Sequence, residues 1–145
     1  MKITVRLAAV AMAVFISGFL LGQNFDFTTS ANAQDNKVFE LRTYTTTEGK
    51  LPNLLARFRD HTMTIFERHG MTNVGYWVPQ DSPNSQNTLI YLLEHSSRQV
   101  AQESWAGFRA DPEWLRVMTE SEATGSIVSN IESVFIEPTN FSPMR

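Results

Sequence analysis

Arg42 stands between Glu40 and Tyr44 on a short alternating segment, where a guanidinium can grip a carboxylate or an enolate through two parallel hydrogen bonds. The other chemistry open to it is an ion pair with Glu40 or Glu94. His61 carries the side-chain type that titrates near neutral pH without help, so it is the candidate proton carrier, with a structural hydrogen bond as the alternative. Arg42 and His61 thus form the candidate catalytic pair, the first stabilising developing negative charge and the second moving a proton. Tyr44, Tyr76 and Trp77 are candidate ligand contacts, because strand aromatics can line a cavity. His69 is a further candidate contact, although its place beside Gly70 also suits capping of a helix end.

The rest of the composition narrows the chemistry. The chain has no cysteine, which removes disulfides, thiol nucleophiles and thiolate metal sites together. Neither a Gly-x-Ser-x-Gly motif nor a phosphate-cradling glycine loop occurs. His61 and His69 fall about 80° apart and roughly two turns apart on one helix, with no carboxylate at ligand spacing. No metal is expected. A haem would need one axial histidine, which His61 or His95 would have to supply, and no cofactor is expected. Acidic residues outnumber basic ones 15 to 12 and the cations are scattered, so nucleic acid is not an expected partner.

These residues need elements to hold them. Val38 to Thr45 alternates, with Phe39, Leu41 and Thr43 on one face and Glu40, Arg42 and Tyr44 on the other, which predicts a strand. Leu51, Leu54, Leu55, Phe58, Ile65 and Phe66 make one helical stripe, with Pro52 in the first turn and Gly70 as the left-handed stop. Met71 to Val78 and Thr88 to His95 are predicted to form a hairpin across the polar loop Pro79 to Asn87. Ser96, three residues before Gln99, predicts a capping box opening a helix that carries Trp105 and Phe108. Asp111-Pro112-Glu113 starts another helix, and Ser126 to Ile136 is a β-branched run of strand type. Trp105, Phe108 and Trp114 have helical spacing and are expected in the core.

The order strand, helix, strand, strand, paired helices, strand is that of the α+β, ferredoxin-like βαββαβ fold, a four-stranded antiparallel sheet with helices on one face. Large side chains are expected on both sheet faces, because Tyr44, Tyr76 or Trp77, and Tyr91 or Leu92 cannot all point one way. The uncovered face then calls for a homodimer, two sheets enclosing a cavity for a small molecule lined by Arg42 and Tyr44.

The N-terminus has a separate role. Lys2 and Arg6 precede the uncharged stretch Leu7 to Gly22, and Thr29-Ser30-Ala31-Asn32-Ala33 ends in the small residues a signal peptidase selects. Residues 1–33 are expected to be a secretory signal, cut after Ala33, placing the protein in the periplasm or outside the cell. About 16 apolar residues fall short of the roughly 20 that span a bilayer, so a membrane is a partner only if the segment stays uncleaved as an anchor. The cut removes Lys2, Arg6 and Asp26 and moves the formal charge from −3 to −4. Residues 34–37 form a linker, 38–137 one domain and 138–145 a tail.

Several segments together resemble one family. Glu40-Leu41-Arg42-Thr43-Tyr44, Gly49-Lys50-Leu51, Phe58-Arg59-Asp60-His61, Phe66-Glu67-Arg68-His69-Gly70, Gly75-Tyr76-Trp77 and Asp111-Pro112-Glu113-Trp114 occur in the order found in the NIPSNAP domain. The resemblance spans about Val38 to Ile136 and implies a dimeric α/β barrel. That wider group includes cofactor-free monooxygenases, small isomerases and haem enzymes, whereas NIPSNAP proteins have no generally assigned reaction. The expected function is therefore binding of a small apolar or aromatic ligand between the sheets. The alternatives are a cofactor-independent monooxygenase- or isomerase-like enzyme and a non-catalytic dimerisation domain. Eukaryotic members are tied to mitochondria and vesicle traffic, roles that do not carry over to a chain with a bacterial-type export signal.

Overall fold

The computed structural model describes residues 37–144; the expected signal and its cut after Ala33 lie outside them. Four strands, β1 (Val38–Thr46), β2 (Thr72–Trp77), β3 (Thr88–His95) and β4 (Val128–Ile136), pair antiparallel in the order β2-β3-β1-β4. Helices α1 (Leu51–Arg57), α2 (Met63–Arg68), α3 (Arg98–Ala110) and α4 (Pro112–Ser121) supply the second layer. This is the ferredoxin-like arrangement of the sequence pattern, with both central strands, β1 and β3, joined to neighbours on each side. Among the described residues no helix is long and apolar enough to cross a membrane.

The predicted single helix over residues 51–69 is interrupted. Between α1 and α2 lies a π turn, Phe58–Thr62, closed by a bond from the Met63 amide to the Phe58 carbonyl. The Thr62 hydroxyl donates to the Arg57 carbonyl at 3.1 Å, occupying the oxygen that the wide turn strands. Thr62, not His61, therefore faces inward. At the far end Gly70 adopts φ +76°, and the bonds Met71 N to Phe66 O and Gly70 N to Glu67 O close the helix as a Schellman motif.

Helix α3 starts one residue later than the capping box predicts. Ser97, in extended conformation, accepts from the Val100 amide at 3.1 Å, so it is the cap in place of Ser96. Asp111 caps α4 as predicted, accepting from the amides of Glu113 and Trp114, with Pro112 in the first turn.

Register settles the sheet faces and overturns one expectation. Tyr44 pairs with Leu89, Arg42 with Tyr91, and Tyr76 with Tyr91, so all three tyrosines share the helix-covered face. There they join Phe58, Phe66 and Phe108 in one aromatic core. The open face carries Phe39, Leu41, Trp77, Ile90, Leu92, Val134 and Ile136 instead. An apolar face opposite the helices is thus present, but it carries Phe39 and Trp77 among aliphatic residues and no tyrosine. The C-terminal tail is more than a polar appendage, for Pro138, Thr139, Ser142 and Met144 line a groove with Phe39, Leu92 and Ile136 on that face.

Candidate functional site

Because the strand alternation places Glu40, Arg42 and Tyr44 on the helix side, β1 feeds a carboxylate and a guanidinium into the interior. Glu40 is 1 % exposed. Its Oε1 accepts from Arg42 Nη1 and from Ser133 Oγ at 2.6 Å; its Oε2 accepts from Trp105 Nε1 at 2.7 Å and meets His95 Nε2 at 3.1 Å. Burial alone would raise the carboxyl pKa, but hydrogen bonds from His95, Ser133 and Trp105 and the Arg42 charge outweigh it and bring it down to about 2. Glu40 is therefore a fixed anion at the centre of four donors.

Arg42 is held on three sides. Beyond Glu40, its Nη2 donates to the Tyr44 hydroxyl at 3.3 Å, and its guanidinium carbon lies 4.2 Å from the Trp105 ring centre. Burial opposes its charge, but Tyr91, Tyr44 and Glu40 more than reverse that and raise its pKa. The nearby Tyr91 hydroxyl is buried with no hydrogen-bond partner among the described residues, and burial pushes its pKa well up.

Beside this cluster an apolar cleft of about 140 Å³ enters between helices and sheet at the β4 edge. Tyr44, Phe58, Phe108, Trp114 and Ile131 wall it, and the π turn contributes Phe58 and Thr62. Arg57 and Glu122 stand at its border, joined by a 2.9 Å bond from Arg57 Nη1. Tyr44 belongs to both places, its ring in the cleft and its hydroxyl on Arg42.

The other candidates are dispersed. His61 lines a groove between α1 and α4 with Asn53, Asp60, Val117 and Glu120, which shares no residue with the groove that exposes Arg42. The expected catalytic pair is not assembled, because the π turn directs His61 away from the sheet. His69 closes α2 and meets Asp111 Oδ2 at 2.8 Å, with Gly107 against it; a β-carbon on Gly107 would stand 2.7 Å from His69 Nδ1. The hydrogen bond from His69, helped by the Trp114 and Glu113 amides and the Arg68 charge, holds the Asp111 carboxyl at about 2. That geometry is a brace between α2 and α4. Tyr76 stacks on Tyr91 in the core, while Trp77 is on the open face, folded over Gly75.

Sequence reasoning offered the Arg42 pair with Glu40 but missed its other three partners. His95, Trp105 and Ser133 come from three different elements, and no spacing links them. The one available signal was a glutamate flanked by the apolar Phe39 and Leu41 in a strand. Arg57 was missed as well, because it lies beside the apolar stripe rather than on it.

Comparison with known proteins adds a family. The sequence profile described as NIPSNAP matches residues 39–143. Among solved structures, a NIPSNAP family protein of unknown function from Agrobacterium tumefaciens aligns with 26 % identity over 77 % of this chain and 96 % of its own, at TM-score 0.66. An uncharacterised NIPSNAP-like domain protein from Burkholderia xenovorans aligns with 17 % identity over 75 % of this chain and 90 % of its own, at TM-score 0.65. SnoaB, a cofactor-independent oxygenase from Streptomyces nogalater, shares the fold at 15 % identity and TM-score 0.51, covering 74 % of this chain and 98 % of its own. Among curated proteins none matches the sequence.

Proposed function

The chain belongs to the NIPSNAP family, and from that premise we propose that it is a ligand-binding domain taking a small neutral aromatic molecule in the cleft between its sheet and helices. The observation that carries this reading is the cleft itself, about 140 Å³ of aromatic-walled space with the π turn as one wall. An apolar cavity of about 150 Å³ accepts benzene, so the size fits a single ring. π turns cluster at functional sites, which supports the same place.

The expected location between two sheets gives way to this one because Arg42 and Tyr44 point under the helices. An enzymatic reading is less favoured, because His61, the proton carrier it needs, opens on a different groove from Arg42. The likeness to a cofactor-independent oxygenase concerns fold alone.

Titration of the domain from residue 34 onward with toluene, followed by protein-observed NMR, tests the proposal. Saturable shifts at Phe58, Thr62 and Trp114 are expected, and Val128→Trp, which fills the cleft, should abolish them. Ile131→Trp, at the exposed mouth, repeats the block where the core is untouched. Shifts elsewhere, or none, would reject the reading.

We also propose that the domain is exported and works as a homodimer joined through the open sheet face. The charge and apolar pattern of residues 1–33 supports export, and N-terminal sequencing of protein from a periplasmic extract should begin at Gln34. The exposed apolar residues of the open face support the dimer.

A further inference from the structure

Helix α3 presents a second stripe beside its core-facing one. Gln102, Trp105 and Arg109 recur at three- and four-residue spacing and overhang β4. With Arg42 and Phe135 they line a groove of about 240 Å³ that is separate from the apolar cleft. Arg98, one turn before Gln102, lies with its guanidinium carbon 4.0 Å from the Phe135 ring centre.

The charge balance of this groove is unusual for the chain. Two guanidiniums, Arg42 and Arg109, line it and a third, Arg98, lies over its Phe135 wall, although acids exceed bases overall. Glu40, the carboxylate bonded to Arg42 and Trp105, is buried behind the groove and saturated by its four donors. The Arg109 and Gln102 side chains make no hydrogen bond or ion pair among the described residues. Arg109 also sits in the last turn of α3, where a cation suits the helix dipole, but that role calls for neither Gln102 nor two aromatic walls. Arg42 arrives pre-positioned, with Glu40, Tyr44 and Trp105 fixing its plane and part of its five N–H donors unused.

We propose that this groove binds an aromatic carboxylate, its ring between Trp105 and Phe135 and its carboxylate between Arg42 and Arg109. The volume exceeds that of a single-ring cavity and falls below the roughly 300 Å³ of drug-sized sites, which points to one or two rings. Guanidinium donors match a carboxylate in shape and charge, and aromatic walls take the ring. This site is independent of the apolar cleft and admits a different ligand class.

The probes are benzoate and its uncharged isostere benzamide, titrated into the domain while the Trp105 indole N–H is followed by NMR. Benzoate is expected to bind about tenfold more tightly than benzamide. Arg109→Gln, an exposed change that leaves the core intact, should weaken benzoate about three- to fivefold and leave benzamide unchanged. Benzoate binding should survive in Val128→Trp, which separates this site from the cleft, and should weaken as salt rises. Equal affinity for the two probes, no response to Arg109→Gln, or loss of benzoate in Val128→Trp would overturn the proposal.

Discussion

At the scale of single residues, the most consequential side chain is Glu40, whose carboxylate draws His95, Trp105, Ser133 and Arg42 together. Its folded-state pKa, about 2, lies below the ordinary value of 4.5. A depressed carboxyl stabilises the fold above its unfolded pKa and loses that contribution as pH falls. The contribution should therefore be complete above about pH 5.5 and disappear between about pH 4.5 and 2. The shift corresponds to an upper figure of about 3 kcal/mol, reduced by whatever solvent reaches the site. Urea unfolding of wild type and Glu40→Gln from pH 7 to pH 3 measures it. The wild type should lose stability across that range more steeply than Glu40→Gln, and parallel curves would contradict the assignment. Arg42 was readable as an ion-pairing or anion-binding residue from its neighbours in sequence. That Glu40 takes one edge while α3 exposes the rest depends on residues more than fifty positions away.

At the scale of elements, small phase shifts decide which side chains matter. The π turn adds a residue to one helical turn, and with it Thr62 enters the core while His61 faces α4. Apolar periodicity cannot register such a turn, because Phe58 and Ile65 stay on the inner side with or without it. The start of α3 is a similar case. Ser96 and Ser97 are both good caps by type, and the extended backbone at Ser97 selects the second. Ser97→Ala should lower stability by about 1 kcal/mol in urea unfolding, with Ser96→Ala near neutral. The reverse order would restore the capping box with Gln99, whose side chain here bonds Glu103 instead.

At the scale of the whole molecule, the open sheet face is the unfinished surface. Trp77 is 51 % exposed, Val134 56 % and Phe141 of the tail 83 %, and together they make an apolar area of the kind that marks an interface. Two such faces packed together would cover Leu41, Ile90 and Val134 at the centre, with the tail of each chain at the border. Light scattering at micromolar concentration should give twice the domain mass. Val134→Glu, at a solvent-exposed site, should give a folded monomer by circular dichroism and scattering. A wild-type monomer would remove the dimer proposal.

Strand alternation, helical stripes, caps and turn glycines are local properties, and they determined the order of elements, the ferredoxin-like fold and the family resemblance from the sequence alone. The sidedness of each strand was also written there: Glu40, Arg42 and Tyr44 share a face by alternation. Which face the helices would cover was not, because two faces that each carry large side chains look alike until the crossovers close over one of them. Only the tertiary structure placed the three tyrosines inside, brought His95, Trp105 and Ser133 to Glu40, and parted His61 from Arg42. Those decisions arise from contacts between residues far apart in the chain, where packing and hydrogen-bond saturation, rather than spacing, select the arrangement.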